Sequence, residues 1–200
     1  TMPLDSAWQW VDLAIGSASE GPVLVARKDK SPYLQFSFLD LETFKPLAVQ
    51  INDAPLVKSN GLPSLRASGD GSLFTCAHAS DKYVFDLATK TCDVRTVSQR
   101  TYLIPGPIGR LLYSDVGLMK RDLSRLPFQQ QSKYTLMSFP PSQGNLYVTY
   151  GESPMNRDST PSEYFVQLRH PDLGSPLFTS HALKLARSTL SGATNGPKLE

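Results

Sequence analysis

Short stretches in which apolar and polar residues alternate, each ~4 to 8 residues long and broken by Gly, Pro, Asn, Asp or Ser, fill most of this chain, a pattern of strands rather than helices. Phe36-Ser37-Phe38-Leu39 and Tyr83-Val84-Phe85-Asp86 are examples. Only His181 to Leu190, with Leu183, Leu185, Ala186 and Leu190, carries anything near helical spacing. The chain is therefore expected to be all-β, with a single domain over residues 1–186 and a C-terminal tail over 187–200.

The strands recur in units. Four segments end at or near an Asp-Leu pair: Phe36 to Leu41, Tyr83 to Leu87, Leu118 to Leu123 and, without the Asp, Tyr164 to Leu168. The marker leucines Leu41, Leu87, Leu123 and Leu168 lie 46, 36 and 45 residues apart, an average of about 42 that falls in the span of a four-stranded repeat. Before each marker stands another strand, Pro22–Ala26, Ser72–Cys76, Arg110–Ser114 and Asn145–Tyr150, with Gly21, Gly71, Gly109 or Gly144 just ahead of it. Glycine there supplies the positive φ of a tight turn. A fourth strand follows each marker, at Pro46–Ile51, Cys92–Val97, Pro127–Gln130 and Pro176–Ser180. A first strand opens each unit, at Ala7–Gly16, Leu62–Ser68, Thr101–Ile104 and Tyr134–Phe139. The units occupy about 7–52, 62–97, 101–130 and 134–182.

Ser68-Gly69-Asp70-Gly71-Ser72-Leu73-Phe74, followed after a gap by Lys82-Tyr83-Val84-Phe85-Asp86-Leu87, resembles the blade of WD40-type and related β-propellers. In those blades an Asp-Gly turn precedes the second strand and a Trp-Asp closes the third. Here Phe85, Leu39 and Arg121 stand where Trp would be, and no Gly-His pair opens a unit. The resemblance implies four four-stranded antiparallel blades, as a closed four-bladed ring, as half of a larger propeller, or as a half-ring that pairs with a second copy. Alternating strands with apolar residues on both faces point the same way, because each sheet must then be covered on both sides. A β-sandwich is the alternative.

Composition narrows the partners. Lys and Arg total 20 against 18 acids, for a net charge of +2, which leaves no basic field for nucleic acid or an anionic membrane. No apolar run is long enough for a membrane-spanning helix, and no leader is recognisable. The chain opens on Thr1 and closes on Leu199-Glu200, so it reads as part of something longer and the compartment stays open. Cys76 and Cys92 fall on the second and fourth strands of one unit, ~9.5 Å apart at standard strand spacing and beyond the ~7 Å reach of a disulfide. Both are expected as free thiols.

Candidate chemistry is sparse. His78, His170 and His181 lack partners at metal-ligand spacing, so neither a metal nor a cofactor is expected, and His78 reads as a packed histidine of the core. No nucleophile elbow or phosphate loop is present. Asp70 and Asp86 read as turn and strand-end acceptors. Propeller resemblance places the links between second and third strands, and those between units, on one rim. The longest, Gly151 to Ser162, offers Glu152, Arg157 and Asp158, while neighbouring loops offer Lys30, Lys58 and Arg100. Polar loops on a rigid scaffold carry binding contacts. The expected function is a non-catalytic module that binds a protein or peptide through that rim. Two alternatives remain: a small-ligand or carbohydrate site at the channel mouth, drawing on Trp10, Asp12, Arg66, Tyr102 and Ser138, and a structural fragment that forms a homodimer or lacks blades.

Overall fold

A computed structural model describes residues 9–28, 32–49, 57–58, 63–96, 102–115, 117–126, 135–141, 144–152, 163–180 and 183–184. Among them every regular element is a strand, and the strands form four antiparallel sheets that follow one another along the chain. The first sheet orders β1 (Gln9–Ala14), β2 (Val23–Lys28), β3 (Tyr33–Leu39) and β4 (Val57–Lys58); the second orders β5 (Ser64–Ala67), β6 (Leu73–His78), β7 (Asp81–Asp86) and β8 (Thr91–Thr96). The third holds β9 (Leu103–Pro105), β10 (Leu112–Ser114) and β11 (Gly117–Met119). In the fourth, β12 (Thr135–Phe139), β13 (Tyr147–Glu152), β14 (Glu163–Arg169) and β15 (Phe178–Thr179) run in order, and β16 (Leu183–Lys184) pairs with the far end of β14.

Local chemistry explains the hairpins. Gly21, Gly71, Gly109 and Gly144 all take positive φ ahead of the second strand of their sheet, as the turn requires. Asp40 and Asp86 sit where the third strand ends, and each accepts backbone N–H groups of the turn that follows, from Thr43 and from Ala88 and Thr89. Four residues on, Phe44 and Lys90 adopt the left-handed conformation that lets the chain reverse. In the third sheet the strand ends at Met119, so Asp122 caps its turn through Ser124 from three residues further on. The Asp-Leu spacing thus mixes two turn geometries.

Several expected boundaries move. Pairing at the outer edge of the first sheet begins at Pro46, but as a single bridge to Leu39. Val57–Lys58 takes the other end of that edge, opposite Tyr33 and Leu34, because Val57 brings an apolar side chain into the core where it is fully buried. Leu183 and Lys184 are extended rather than helical, since β14 offers them an unpaired edge. Gly151 and Glu152 belong to β13 and not to the loop; a side chain at Gly151 would collide with the Phe165 ring, so glycine suits this paired position. The expected strand at 127–130 lies outside the described residues.

Apolar side chains meet between successive sheets. Leu24, Ala26, Leu34 and Phe38 of the first sheet bury against Leu65, Phe74, Tyr83 and Phe85 of the second, with Phe38 edge-on to Phe74 at 5.4 Å between ring centres. Leu73 and Val84, on the opposite face of the second sheet, bury against Leu103, Leu112 and Met119 of the third. Tyr113 and Leu118 of the third close on Tyr147 of the fourth. The opening strands lie together, β1 against β5 and β5 against β9. Among the described residues the fourth sheet packs on the third and has no extensive contact with the first.

Candidate functional site

The joints between sheets use the polar residues nearest the opening strands. Leu65 N–H, on the free edge of β5, donates to Asp12 Oδ2 at 2.7 Å, so the carboxylate supplies a ladder partner that the edge lacks. A break in register between Trp10 and Asp12 helps to turn that side chain towards β5. Thr75 Oγ1 donates to the Leu103 carbonyl at 2.8 Å, and Tyr102 Oη donates to the Ser138 carbonyl at 3.1 Å. Arg66 lies exposed, with Nη1 on the carbonyl of Leu65. Of the residues expected at a channel mouth, Asp12 and Tyr102 are engaged in joints through their side chains and Ser138 through its backbone carbonyl, its buried Oγ having no hydrogen-bond partner among the described residues; the side chain of Trp10 lies outside them.

At one end of the sheets the turns between first and second strands touch in series. Ala18 N–H donates to the Gly69 carbonyl at 2.8 Å, and Asp70 N–H donates to the Pro107 carbonyl at 2.9 Å. The approach is close: a Cβ on Gly16 would stand 2.5 Å from the Ser68 carbonyl oxygen, and one on Gly69 would stand 2.8 Å from that of Pro107. Asp70 accepts from Ser68 Oγ, Ser72 N–H and Ser72 Oγ. Burial alone would raise its pKa, but these hydrogen bonds and the Arg121 charge outweigh burial and hold it below the usual value. Asp86, besides its turn contacts, accepts from Arg121 Nη1 at 2.7 Å, while Arg121 Nε reaches the Gly109 carbonyl. Both aspartates are structural acceptors, as expected. Arg121, read from the sequence only as a departure from Trp, ties the third sheet to the second.

The opposite end carries the turns between second and third strands. Here Asp81 accepts from Thr96 Oγ1 at 2.7 Å and from Tyr83 Oη. His78 is buried, as expected of a core histidine, but its Nε2 has no hydrogen-bond partner among the described residues. Lys82 is buried, at 3% exposure, and its Nζ donates to the carbonyl of Ala79 at 3.4 Å. Desolvation lowers its pKa, against the opposing pull of Asp115, Asp81 and Cys76. Lys82 shares its face of β7 with Val84 and Asp86. Register places His78 opposite Asp81 on the face towards the first sheet and Lys82 opposite Ala77 on the face towards the third. The pleat therefore separates histidine from lysine instead of joining them in one constellation.

Cys76 and Cys92 are both free, on β6 and β8 with β7 between them. Burial pushes each thiol up to about 12, so neither is a nucleophile at neutral pH. His170 lies beside Asp172 on an exposed turn. Among the described residues no three His, Cys, Asp or Glu side chains gather as metal ligands, and no helix is long and apolar enough to cross a membrane.

Of the expected rim contacts, Lys30, Arg100, Arg157 and Asp158 lie outside the described residues, as does His181. Lys58 is placed by its backbone opposite Tyr33, and Glu152 by its backbone opposite Tyr164 at the end of β13. Glu152 therefore ends the strand that leads into the long 153–162 connection, and its position shares the end of the sheets that carries Lys28 and His78. No protein-family model matches the chain, and no curated protein matches it in sequence.

Proposed function

We propose that the chain is an arc of a β-propeller that works as a non-catalytic binding module, recognising a protein or peptide through the loops at the β6–β7 end of its sheets. The observation that carries the reading is the serial joint. Each sheet covers the next with an apolar face, the opening strands of the first three sheets lie side by side, and their turns meet through Ala18 to Gly69 and Asp70 to Pro107. Radial stacking of blades produces this arrangement. It also spends Asp12 and Tyr102, two of the polar residues nearest the axis, on holding neighbours together, Tyr102 through the backbone carbonyl of Ser138. That favours the rim over a small-ligand or carbohydrate site at the channel mouth.

The proposed contacts are Arg157 and Asp158 of the link after Glu152, with Lys30, Arg100 and, on β4, Lys58. A partner is captured by cross-linking, identified by mass spectrometry and titrated calorimetrically. The double variant Arg157→Glu, Asp158→Lys is expected to bind it at least tenfold more weakly, or ~1.4 kcal/mol, with an unchanged melting temperature. Unchanged affinity would move the site off this loop.

A further inference from the structure

We infer that strand β8, the outer edge of the second sheet, pairs antiparallel with the same strand of a second copy about a two-fold axis at Val94. The inference rests on the edge of one sheet and is independent of the loop-rim reading. Among the described residues the first and fourth sheets end outwardly on two-residue pieces, β4, β15 and β16, and the third on the three residues of β11. β8 differs, because Thr91–Thr96 is laddered to β7 along its whole length and no described strand pairs with its other side. Its side chains are exposed except for half-buried Cys92, and Val94 is 55% open. A sheet edge of this length is a template for another strand.

Charge selects the occupant. Register puts Asp93 and Arg95 on the face towards the third sheet, opposite Val84 and Lys82, and puts Cys92, Val94 and Thr96 on the other face. In a two-fold antiparallel ladder one residue faces its own copy, and the residues flanking it face each other crosswise. With the axis at Val94 the two valines meet, Asp93 of each copy faces Arg95 of the other, and Cys92 faces Thr96. Moving the axis by one residue sets Asp93 against Asp93 or Arg95 against Arg95, and like charges directly opposite are unfavourable. The Val94 register alone surrounds a β-branched pair with two opposite-charge pairs. Charged side chains ordinarily keep an edge from pairing; an acid and a base two residues apart are instead complementary to themselves. Arg95 is already placed, since its Nη1 donates to the Leu123 carbonyl at 2.6 Å, which uses one of the five guanidinium N–H groups.

A further sheet in the series would not supply this cover. Successive sheets here join face to face, so a sheet added at either end leaves the β8 edge as it is. Facing residues 92–96 span about 17 Å at ~3.4 Å per residue. A contact this narrow belongs with weak, reversible associations, in which main-chain hydrogen bonds supply the affinity and side chains the register.

Analytical ultracentrifugation of the 200-residue chain from about 5 to 500 μM is the test, over the range a weak contact calls for. The wild type is expected to pass from monomer to dimer and no further. Asp93→Lys and Arg95→Glu are each expected to weaken dimerisation at least tenfold while keeping the circular dichroism spectrum. Mixed in equal amounts, the two variants are expected to associate again, because the new lysine of one faces the new glutamate of the other. Should Arg95→Glu fail to fold without its tie to Leu123, cross-linking decides. In a Cys92→Ser background, Val94→Cys is expected to be joined to its own copy by oxidised glutathione at least tenfold faster than Lys90→Cys in the neighbouring exposed turn. A wild type that stays monomeric, growth beyond the dimer, single variants that dimerise unchanged, a mixture no more associated than its components, or equal cross-linking rates would each overturn the proposal. Since Arg157 and Asp158 are untouched in these variants, partner affinity and self-association can fail separately.

Discussion

The inner strands of the second sheet, β6 and β7, are sealed on both faces, whereas the fourth sheet is sealed on one. Phe74, Cys76 and Phe85 of the second sheet face the first, Leu73 and Val84 face the third, and all are almost fully buried. Its joint with the third sheet is tied at four places: Thr75 on Leu103, Asp70 on Pro107, Asp86 on Arg121, and Arg95 on Leu123. The fourth sheet has an equally regular ladder, yet Val148, Val166 and Phe178 on its outward face remain open. Regular backbone pairing therefore does not distinguish a sheet covered on both faces from one covered on a single face. What distinguishes them is whether a second apolar surface arrives to exclude water, which is where the stabilisation resides.

The largest expected effect lies in truncating the two kinds of face. Phe74→Ala, which empties space between the first and second sheets, is expected to destabilise by about 3–5 kcal/mol. Val166→Ala on the open face is expected to stay within about 0.5 kcal/mol. Urea denaturation measures both; equal costs would mean that the outward face is covered in solution or that the sheets do not stack as described.

Glycine substitutions sharpen the same contrast with a smaller effect. At Gly69→Ala the new methyl meets the Pro107 backbone at 2.8 Å, so the two turns must part, at a cost of about 1–3 kcal/mol. Gly174, in the fourth unit, has open space around it, and Gly174→Ala is expected to be near neutral, within about 0.5 kcal/mol. Thermal melts of the two variants check the ordering.

The smallest effect is a pH dependence within the sealed sheet. Burial holds the pKa of Lys82 below its ordinary 10.5. Between the two values the unfolded chain binds the extra proton, so this lysine makes stability rise with pH through that window. Buried Cys76 and Tyr113 and half-buried Cys92 act in the opposite direction, because their folded pKa values are raised to about 12 and they cost stability as pH climbs past their unfolded values. The expected outcome concerns the difference: in Lys82→Met the alkaline loss of stability is steeper than in the wild type, because the compensating rise is gone. Parallel denaturation curves at pH 8 and 10 would contradict the burial of this lysine.

Much of the strand pattern was legible in the chain itself. Alternation in Leu73 to Asp86, the glycine before each second strand and the separation of Cys76 from Cys92 depend on neighbours in sequence, and strand periodicity and turn chemistry act at that range. The Asp-Leu marker was legible but ambiguous, since Asp122 sits beyond the strand end and Leu168 lies within β14. The candidate rim was legible only as loops of suitable composition, because nothing local fixes where Arg157 or Lys30 points.

Sequence alone determined that the chain would form short antiparallel strands in four successive groups, because backbone turns and side-chain alternation are settled over a few residues. Tertiary structure decided the rest. It chose Val57 over the run after Pro46 to finish the edge of the first sheet, and it turned Arg121 from a missing tryptophan into a tie to Asp86. It also buried Lys82 and left Val166 open. Each of those outcomes depends on a surface tens of residues away, and water exclusion between surfaces cannot be read from either one alone.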